Sequence, residues 1–377
     1  CSHTECRSPI SHFETVFLSG RDGLMSQVER IGRRTADSVR AATVVSTASQ
    51  AVEELLLNSI DSGATTVEIR LDLPSYRLSV ADNGRGIPAD RLQALVGTDR
   101  ATSKASTVDD VNQAKTYGFR GEALHSLGLT SLLEIQSRCS GLGSYAKVVR
   151  EGELLHFGAS DSPSGMGTVV TVRDIFFKWP VRRRAMNQVP KAFRVKEIVG
   201  RMALVNCSVA MTVLNTGKPR PLLRVLPCRS VLGSFAGIFS SDKLSAARKL
   251  SFDFKQFHIT GYLSPPSSSA CHWSKEFQVV YINRRWVRRV DFLQKLINSA
   301  FAPCLALLSS KGGAALGGQR NRDPNGSSGQ KQELFPVFLL NIECPHGEVD
   351  LTFEPDKTLV EFADWPGAKN AGIAMLL

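Results

Sequence analysis

The sequence predicts an α/β protein: a two-layer sandwich of helices on a mixed sheet, followed by a second, smaller α/β domain. Three observations lead to this prediction. The chain has 377 residues, more than one hydrophobic core usually holds. Segments with helical periodicity are interspersed with segments in which apolar and polar residues alternate as in strands, which is typical of mixed α/β folds. Near residue 206 a long amphipathic helix gives way to a new run of short strands.

The first domain opens with a predicted helix and a predicted β-hairpin. Residues 47–60 contain good helix formers, a Thr or Ser that can cap the helix, and no internal Gly or Pro. Residues 65–73 and 77–81 alternate like two strands broken by a Pro-Ser turn. A second helix is expected at 88–96, because Pro is favoured in the first helical turn.

A long segment without periodicity, residues 97–121, interrupts this domain. Loops of that length inside a compact domain are usually lids or binding loops. The elements expected after it are four strands and one amphipathic helix, at 132–137, 145–150, 153–157, 168–173 and 191–205. We therefore expect a first domain at 39–206 with a mixed sheet.

The second domain is expected at 207–365. Its predicted strands are 209–214, 222–226, 250–254, 258–263, 277–282, 335–342 and 348–353, with a helix at 290–300. Residues 309–332 are rich in Gly, Ser, Asn and Gln, which is typical of a flexible insertion. Residues 1–38 are expected to form a poorly ordered extension, and 366–377 a tail.

Composition narrows the classes of protein that fit. No apolar run reaches the ~18 residues of a membrane span, so no membrane association is expected. The 8 cysteines are scattered without a Cys-x-x-Cys pair, which favours a reducing compartment over a disulfide framework or zinc site. The net charge of +11 suits a polyanion such as nucleic acid, and suits equally a merely basic soluble enzyme.

Three polar residues of the first helix, Glu54, Asn58 and Asp61, are spaced four and seven residues apart and share one helical face. The ordinary interpretation of such a face is a solvated one. Here it is bordered closely by leucines, which favours a site. A carboxylate can act as a general base on water, and an amide oxygen one turn away can hold a divalent cation.

Two glycine-containing motifs extend this pattern. Asp82-Asn83-Gly84-Arg85-Gly86 lies between a strand and a helix; it is a favourable turn, and its glycines also permit close approach of backbone to a ligand. Asp82 can accept a hydrogen bond from an adenine amino group. Gly118-Phe119-Arg120-Gly121 precedes a helix, whose free N–H groups and positive dipole end suit phosphate. Lys104 can add a positive charge and Thr168 a hydroxyl.

In combination these motifs resemble those of the GHKL ATPase superfamily, which includes gyrase, heat-shock chaperone and histidine-kinase ATP-binding domains. The forms Gly118-Phe119-Arg120-Gly121-Glu122-Ala123-Leu124, Ala101-Thr102-Ser103-Lys104 and Pro180-Val181-Arg182-Arg183 are characteristic of MutL homologues within it. The resemblance runs from about residue 39 to about residue 365. It implies a Bergerat-type α/β sandwich followed by a smaller α/β transducer domain.

The resemblance also implies roles for individual residues. Glu54 would activate the hydrolytic water, Asn58 would coordinate Mg²⁺, and Lys357 would reach the γ-phosphate of ATP. Asp82 would bind the adenine amino group with Thr168 close by. The remaining nucleotide-binding positions implied are Gly84, Gly86, Thr102, Ser103, Lys104, Gly118, Phe119, Arg120 and Gly121.

Some residues depart from the usual family pattern. Many MutL proteins have Glu at the position of Leu57, and His and a small residue at those of Glu354 and Asp356. The segment around Lys357 resembles most the meiotic eukaryotic paralogue. That resemblance implies a nuclear protein that pairs, through a C-terminal region not present in this sequence, with a different MutL homologue. Mismatch-recognition or meiotic recombination proteins would be further partners.

DNA is the other partner implied, and two arginine clusters are candidates for phosphate contacts. They are Arg182, Arg183 and Arg184, and Arg284, Arg285, Arg288 and Arg289. Nothing matches an acidic endonuclease metal motif, so no nuclease activity is expected. Two alternatives stay open: another GHKL enzyme of the topoisomerase type, and a module that binds ATP as a dimerisation switch without hydrolysing it.

Overall fold

The computed structural model describes residues 32–96, 122–186, 189–239, 244–267, 269–287, 290–311, 333–350, 361–364, 366–367, 369–370 and 372. The elements of its first part are α1 Arg33–Val44, α2 Ala48–Asp61, β1 Thr66–Asp72, β2 Arg77–Asp82, α3 Ala89–Ala94, α4 Glu122–Thr130, β3 Leu132–Arg138, β4 Ser144–Arg150, β5 Glu153–Ser160, β6 Gly167–Arg173, α5 Pro180–Met186, α6 Val189–Val205, β7 Ala210–Asn215, β8 Leu223–Val225 and α7 Val231–Phe239.

The elements that follow are β9 Arg248–Phe254, β10 Phe257–Leu263, β11 Gln278–Ile282, β12 Arg285–Val287, α8 Asp291–Lys311, β13 Phe338–Glu343, β14 Val349–Asp350 and β15 Glu361–Phe362. Short 3₁₀ turns occupy Lys275–Phe277 and His346–Glu348. No helix in the described part of the chain combines the length and apolar character that crossing a bilayer requires.

The first sheet has eight strands in the order β5-β4-β3-β6-β2-β1-β7-β8. All neighbours are antiparallel except β1 and β7, so the sheet is mixed, as predicted. Helices α2, α4 and α6 pack on one face of it. The core between the layers includes Leu56 of α2 and Ile69 of β1, both fully buried. The arrangement is therefore the two-layer α/β sandwich that the sequence indicated.

The second sheet has five strands in the order β12-β11-β13-β10-β9. One face packs against α8 through Leu293 and Ile297. Residues of the opposite face, among them Val279, Tyr281 and Leu339, belong to the same apolar cluster as the core of the first sheet. The two sheets therefore share one continuous core, in which α6 is the common helix.

Polar contacts reinforce the junction between α6 and the second sheet. The Tyr281 hydroxyl donates to the Arg201 carbonyl at 2.5 Å, and the Arg201 guanidinium lies over the Trp286 ring at 4.8 Å. In return, the Arg284 guanidinium donates to the carbonyl of Val205, the last residue of α6, at 2.8 Å. A cation at a helix C-terminus also interacts favourably with the helix dipole. These contacts fix the second sheet against the helix that packs on α2.

Most predicted elements are present, with ends shifted by a few residues. The main difference is that β7 and β8, which the sequence interpretation assigned to a second domain beginning at residue 207, extend the first sheet. They do so because β7 pairs in parallel with β1, a contact between distant segments. The change to the second sheet therefore comes between α7 and β9.

Three further differences concern helices. Residues from Arg33 onward form α1, although 1–38 is expected from the sequence to be a poorly ordered extension. α1 packs on α4 and buries Ala41 and Ala42. Helices α5 and α7 were not predicted. Helix α8 continues through Pro303 to Lys311, so the first residues of the predicted 309–332 insertion are helical.

Candidate active site

Glu54 and Asn58 lie one turn apart on α2, and both are half-buried. The helix begins where Thr47 caps it: the Gln50 amide donates to the Thr47 hydroxyl at 3.1 Å. Leu55 and Leu56 of the same helix are buried in the core. Because its apolar face is fixed on the sheet, α2 presents Glu54 and Asn58 along a defined edge of that interface.

The Asp82 carboxyl lies at the end of β2 and is held by both of its oxygens. The Ser59 hydroxyl of α2 donates to Oδ2 at 2.9 Å, and the Gly84 amide donates to Oδ1 at 2.9 Å. Burial raises the pKa of the Asp82 carboxyl above its ordinary value, although hydrogen bonds from Gly84, Ser59 and the Thr168 backbone oppose this shift. The Ser59 bond ties Asp82 to the residue that follows Asn58.

Asn83, the next residue, fixes the loop to the start of β1. Its side-chain oxygen accepts from the amides of Thr65 and Thr66 at 2.9 and 2.8 Å, and its Nδ2 donates to the Thr65 hydroxyl at 2.8 Å. The turn after β2 is thus anchored independently of any ligand. Asp82 is thereby placed in a preorganised position.

The two glycines of this turn serve the protein's own packing. A Cβ at Gly84 would lie 1.8 Å from the hydroxyl oxygen of Ser62, the residue that follows α2. Gly86 has φ +74°, and a Cβ there would lie 2.2 Å from the Arg138 carbonyl oxygen. The sequence interpretation assigned these glycines to close approach of a ligand. The structure shows that each also allows one segment of the chain to approach another.

Thr168 is buried beside Asp82, its antiparallel partner in the sheet. Its hydroxyl lies 2.8 Å from the Ser137 hydroxyl, which also accepts from the Ile87 amide at 2.8 Å. Ser137 and Ser59 were missed as site residues by the sequence interpretation. Their chain neighbours are mostly polar, so no local pattern singles them out, and their partners are far away in sequence.

The donor and acceptor groups fit a purine with an exocyclic amino group. A carboxylate offers about four acceptor positions, and the Ser59 hydroxyl and the backbone amides of Gly84 and Thr168 occupy three of them. Asp82 therefore retains capacity to accept from an amino group. For Mg²⁺ the predicted ligand in the described part of the chain is the side-chain oxygen of Asn58, and oxygen is the ligand atom that this ion prefers.

Several predicted site residues lie outside the described part of the chain: Thr102, Ser103, Lys104, Gly118, Phe119, Arg120, Gly121, Lys357, Arg288 and Arg289.

The arginines that were predicted to contact DNA differ in what they do in the fold. Arg183 pairs with Asp174 at 2.9 Å and lies 4.0 Å over the Tyr76 ring. Arg182 donates to the Ala42 carbonyl. Arg184 is exposed on the surface.

In the second cluster, the Arg284 guanidinium caps α6 as described above, and its φ of +64° places it in a hairpin turn. Arg285 follows it in β12 and is half-buried. Arg182, Arg183 and Arg284 therefore have structural contacts that account for their presence.

Comparison with known proteins is consistent with this geometry. The family model described as histidine kinase-, DNA gyrase B- and HSP90-like ATPase matches residues 45–152. That range contains Glu54, Asn58 and Asp82.

Relatives match across nearly the whole chain. The DNA mismatch repair protein Mlh3 of Homo sapiens is 31% identical over 332 residues, covering 87% of this chain and 22% of that protein. MLH3 of Arabidopsis thaliana is 30% identical over 345 residues, covering 90% of this chain and 26% of that protein. MutL of Trichlorobacter lovleyi is 31% identical, covering 89% of this chain and 51% of that protein. The chain belongs to the MutL family. It spans about half, or less, of the length of these relatives.

Solved structures show the same fold. The crystal structure of the N-terminal domain of a DNA repair protein superimposes with a TM-score of 0.71 at 21% identity, covering 90% of this chain and 96% of that one. The Aquifex aeolicus MutL ATPase domain complexed with ADP gives 0.52 at 21% identity, covering 79% and 92%. This MutL homologue therefore has the GHKL ATPase fold expected from its motifs.

Proposed function

We propose that this MutL homologue binds ATP through Asp82 and hydrolyses it to ADP and inorganic phosphate. The observation that carries the proposal is the fixed Asp82 carboxyl, which hydrogen-bonded donors hold beside the helix carrying Glu54 and Asn58. An ADP complex of a structurally similar MutL ATPase domain supports it.

In the proposed reaction a water oxygen forms a bond to the γ-phosphorus, and the bond to the β,γ-bridging oxygen breaks as ADP leaves. Glu54 orients the water and accepts its proton. Asn58 would hold Mg²⁺, which neutralises charge on the phosphate oxygens when bound. Catalysis of this type depends on positioning. We expect ATP binding to gate dimerisation of the protein, and turnover to be slow as in other switches of this kind.

The biological setting follows from the family. We infer that the protein acts in the nucleus on DNA, in mismatch repair or meiotic recombination, together with another MutL homologue. The names of the human and Arabidopsis relatives support the mismatch-repair part. Among the arginines first considered for DNA, the exposed Arg184 fits phosphate contact better than Arg182, Arg183 and Arg284, which are bound within the fold.

Asp82→Asn is expected to weaken ATP binding by roughly 10- to 100-fold, the value of a hydrogen bond to a charged acceptor. The amide can still accept from Gly84 and donate to Ser59, so the fold should be retained. The measurement is calorimetric titration with ATP and with GTP, whose carbonyl oxygen replaces the amino group that Asp82 would bind.

The wild type should prefer ATP, and Asp82→Asn should lose most of that preference. Asp72→Asn, at the far end of the β1–β2 hairpin, serves as the control and should bind like wild type. Unchanged ATP affinity in Asp82→Asn would exclude Asp82 as the adenine anchor.

The pH dependence of binding tests the same contact. Protonation converts a carboxylate oxygen from acceptor to donor, so ATP affinity should fall as pH decreases through the pKa of Asp82. Because burial raises this pKa, the loss should begin at a higher pH than an ordinary Asp, with its value of 3.8, would allow. ATP affinity is measured for the wild type and for Asp82→Asn from pH 7 downward. The residual affinity of Asp82→Asn should not show the decrease that protonation of Asp82 causes in the wild type. Parallel profiles would contradict the assignment.

A further inference from the structure

An edge of the first sheet carries four cations to which no role has been assigned. Lys218 and Arg220 lie in the turn between β7 and β8, Arg224 lies in β8, and Arg229 follows that strand. We refer to these four residues as the basic edge. All four are exposed, and none has an ion pair or a side-chain hydrogen bond with another described residue. In this they differ from Arg182, Arg183 and Arg284.

Acidic residues are absent from this part of the sequence. Between Glu197 and Asp242 the chain contains no Asp or Glu. The acids of β1, the strand next to β7, are already engaged: Glu68 pairs with Arg70 at 2.5 Å, and the Asp72 carboxylate accepts from the Ser75 amide at 3.4 Å. Along β1, β7, β8 and the segments next to β8, the described cations therefore outnumber the carboxylates.

The four cations follow one another along a short stretch of chain that includes the edge strand β8. β8 is the last strand of the sheet, and no further strand in the described part of the chain pairs with its outer side. Because a chain spans at most about 3.3–3.6 Å per residue, Arg220, Arg224 and Arg229 are spread over no more than roughly 30 Å. Duplex DNA presents phosphates continuously over such a distance, about one helical turn.

We propose that the basic edge contacts the phosphate backbone of DNA without reading sequence. The inference rests on the proposed action on DNA, but not on ATP hydrolysis. Three of the four cations are arginines, whose guanidinium fork matches phosphate geometry. The contact would add to that of Arg184.

The test is binding of the 377-residue chain to a labelled duplex over a range of salt concentrations. The variant combines Lys218→Gln, Arg220→Gln, Arg224→Gln and Arg229→Gln. If all four contact phosphates, the slope of log affinity against log salt should become shallower by about three to four, and affinity in low salt should fall at least ~10-fold. ATP hydrolysis in the absence of DNA should stay at the wild-type rate.

The matched control removes four other exposed cations, each paired with a carboxylate: Arg34→Gln, Arg70→Gln, Arg173→Gln and Lys178→Gln. It changes the net charge equally and should leave the slope nearly unchanged. A second variant with Arg220→Lys, Arg224→Lys and Arg229→Lys retains the charge and should retain most of the affinity.

Equal losses in the glutamine variant and the control would overturn the proposal, because they would show an effect of net charge alone. An unchanged slope in the glutamine variant would also overturn the proposal. So would a glutamine variant that self-associates through its sheet edge and still binds DNA with wild-type affinity, because the cations would then serve only to prevent strand pairing between molecules. Preferential binding of polyglutamate over duplex would assign the surface to an acidic protein partner instead. Absence of ATP hydrolysis in every protein would contradict the proposed function and leave this result unaffected.

Discussion

Glu54→Gln is expected to lower the rate of ATP hydrolysis by roughly 10²- to 10⁴-fold, the usual contribution of a positioned general base, while ATP still binds. The amide keeps the size of the side chain but cannot accept a proton. Binding should persist because the hydrogen bonds that hold Asp82, from Ser59 and Gly84, do not involve Glu54. The measurement is phosphate release under single-turnover conditions, beside calorimetric titration with ATP.

The adjacent residue provides a matched control. Glu53 lies on the same helix, is also half-buried, and points about 100° away around the helix axis. Glu53→Gln should hydrolyse ATP at nearly the wild-type rate. If Glu54→Gln and wild type released phosphate equally fast, Glu54 would not be the base. If neither released phosphate while both bound ATP, the protein would be the non-hydrolysing switch that the sequence left open.

The parts of this site that the sequence predicted are those defined by local patterns. The helix with Glu54 and Asn58 follows from 3.6-residue periodicity and a capping threonine, and the β1–β2 hairpin from alternation around a turn. Asp82 was found because it lies in a short motif that ends a strand. Such signals depend on neighbours within a few residues, which any single sequence displays.

The parts that were missed depend on contacts between distant segments. Ser137 enters the site from β3 because β3 pairs with β6, which no pattern near Ser137 reveals. β7 was not expected to join the first sheet, because its partner β1 lies far away in the sequence. In the sequence, Arg284 belongs to a cluster of arginines and is a candidate for DNA contact. Only the position of α6 in the fold shows that Arg284 caps that helix. Charge clusters in sequence therefore predict a nucleic-acid surface poorly until their internal contacts are known.

Gly167→Ala is expected to destabilise the protein by about 2 to 5 kcal/mol, from backbone strain together with a steric clash. Gly167 has φ +141°, and a Cβ there would lie 2.0 Å from the Asp82 carbonyl oxygen, which is main chain and cannot rotate away. β6 would have to move away from β2 at the point where Asp82 is held. The variant should therefore lose ATP affinity as well as stability, although residue 167 is not assigned to nucleotide contact.

Gly165→Ala is the control, two residues earlier in the same segment. A Cβ at Gly165 meets nothing within 4 Å. Gly165→Ala should therefore change the free energy of unfolding by no more than an ordinary surface substitution does, about 0.5 kcal/mol. Urea unfolding monitored by tryptophan fluorescence gives the stability of each variant. The same experiment with ATP present shows how strongly ATP binding stabilises it. A Gly167→Ala protein that unfolds and binds ATP like Gly165→Ala would show that the spacing of β2 and β6 does not position Asp82. Loss of both properties in Gly167→Ala alone would indicate that the adenine anchor depends on backbone packing behind it as much as on its own hydrogen bonds.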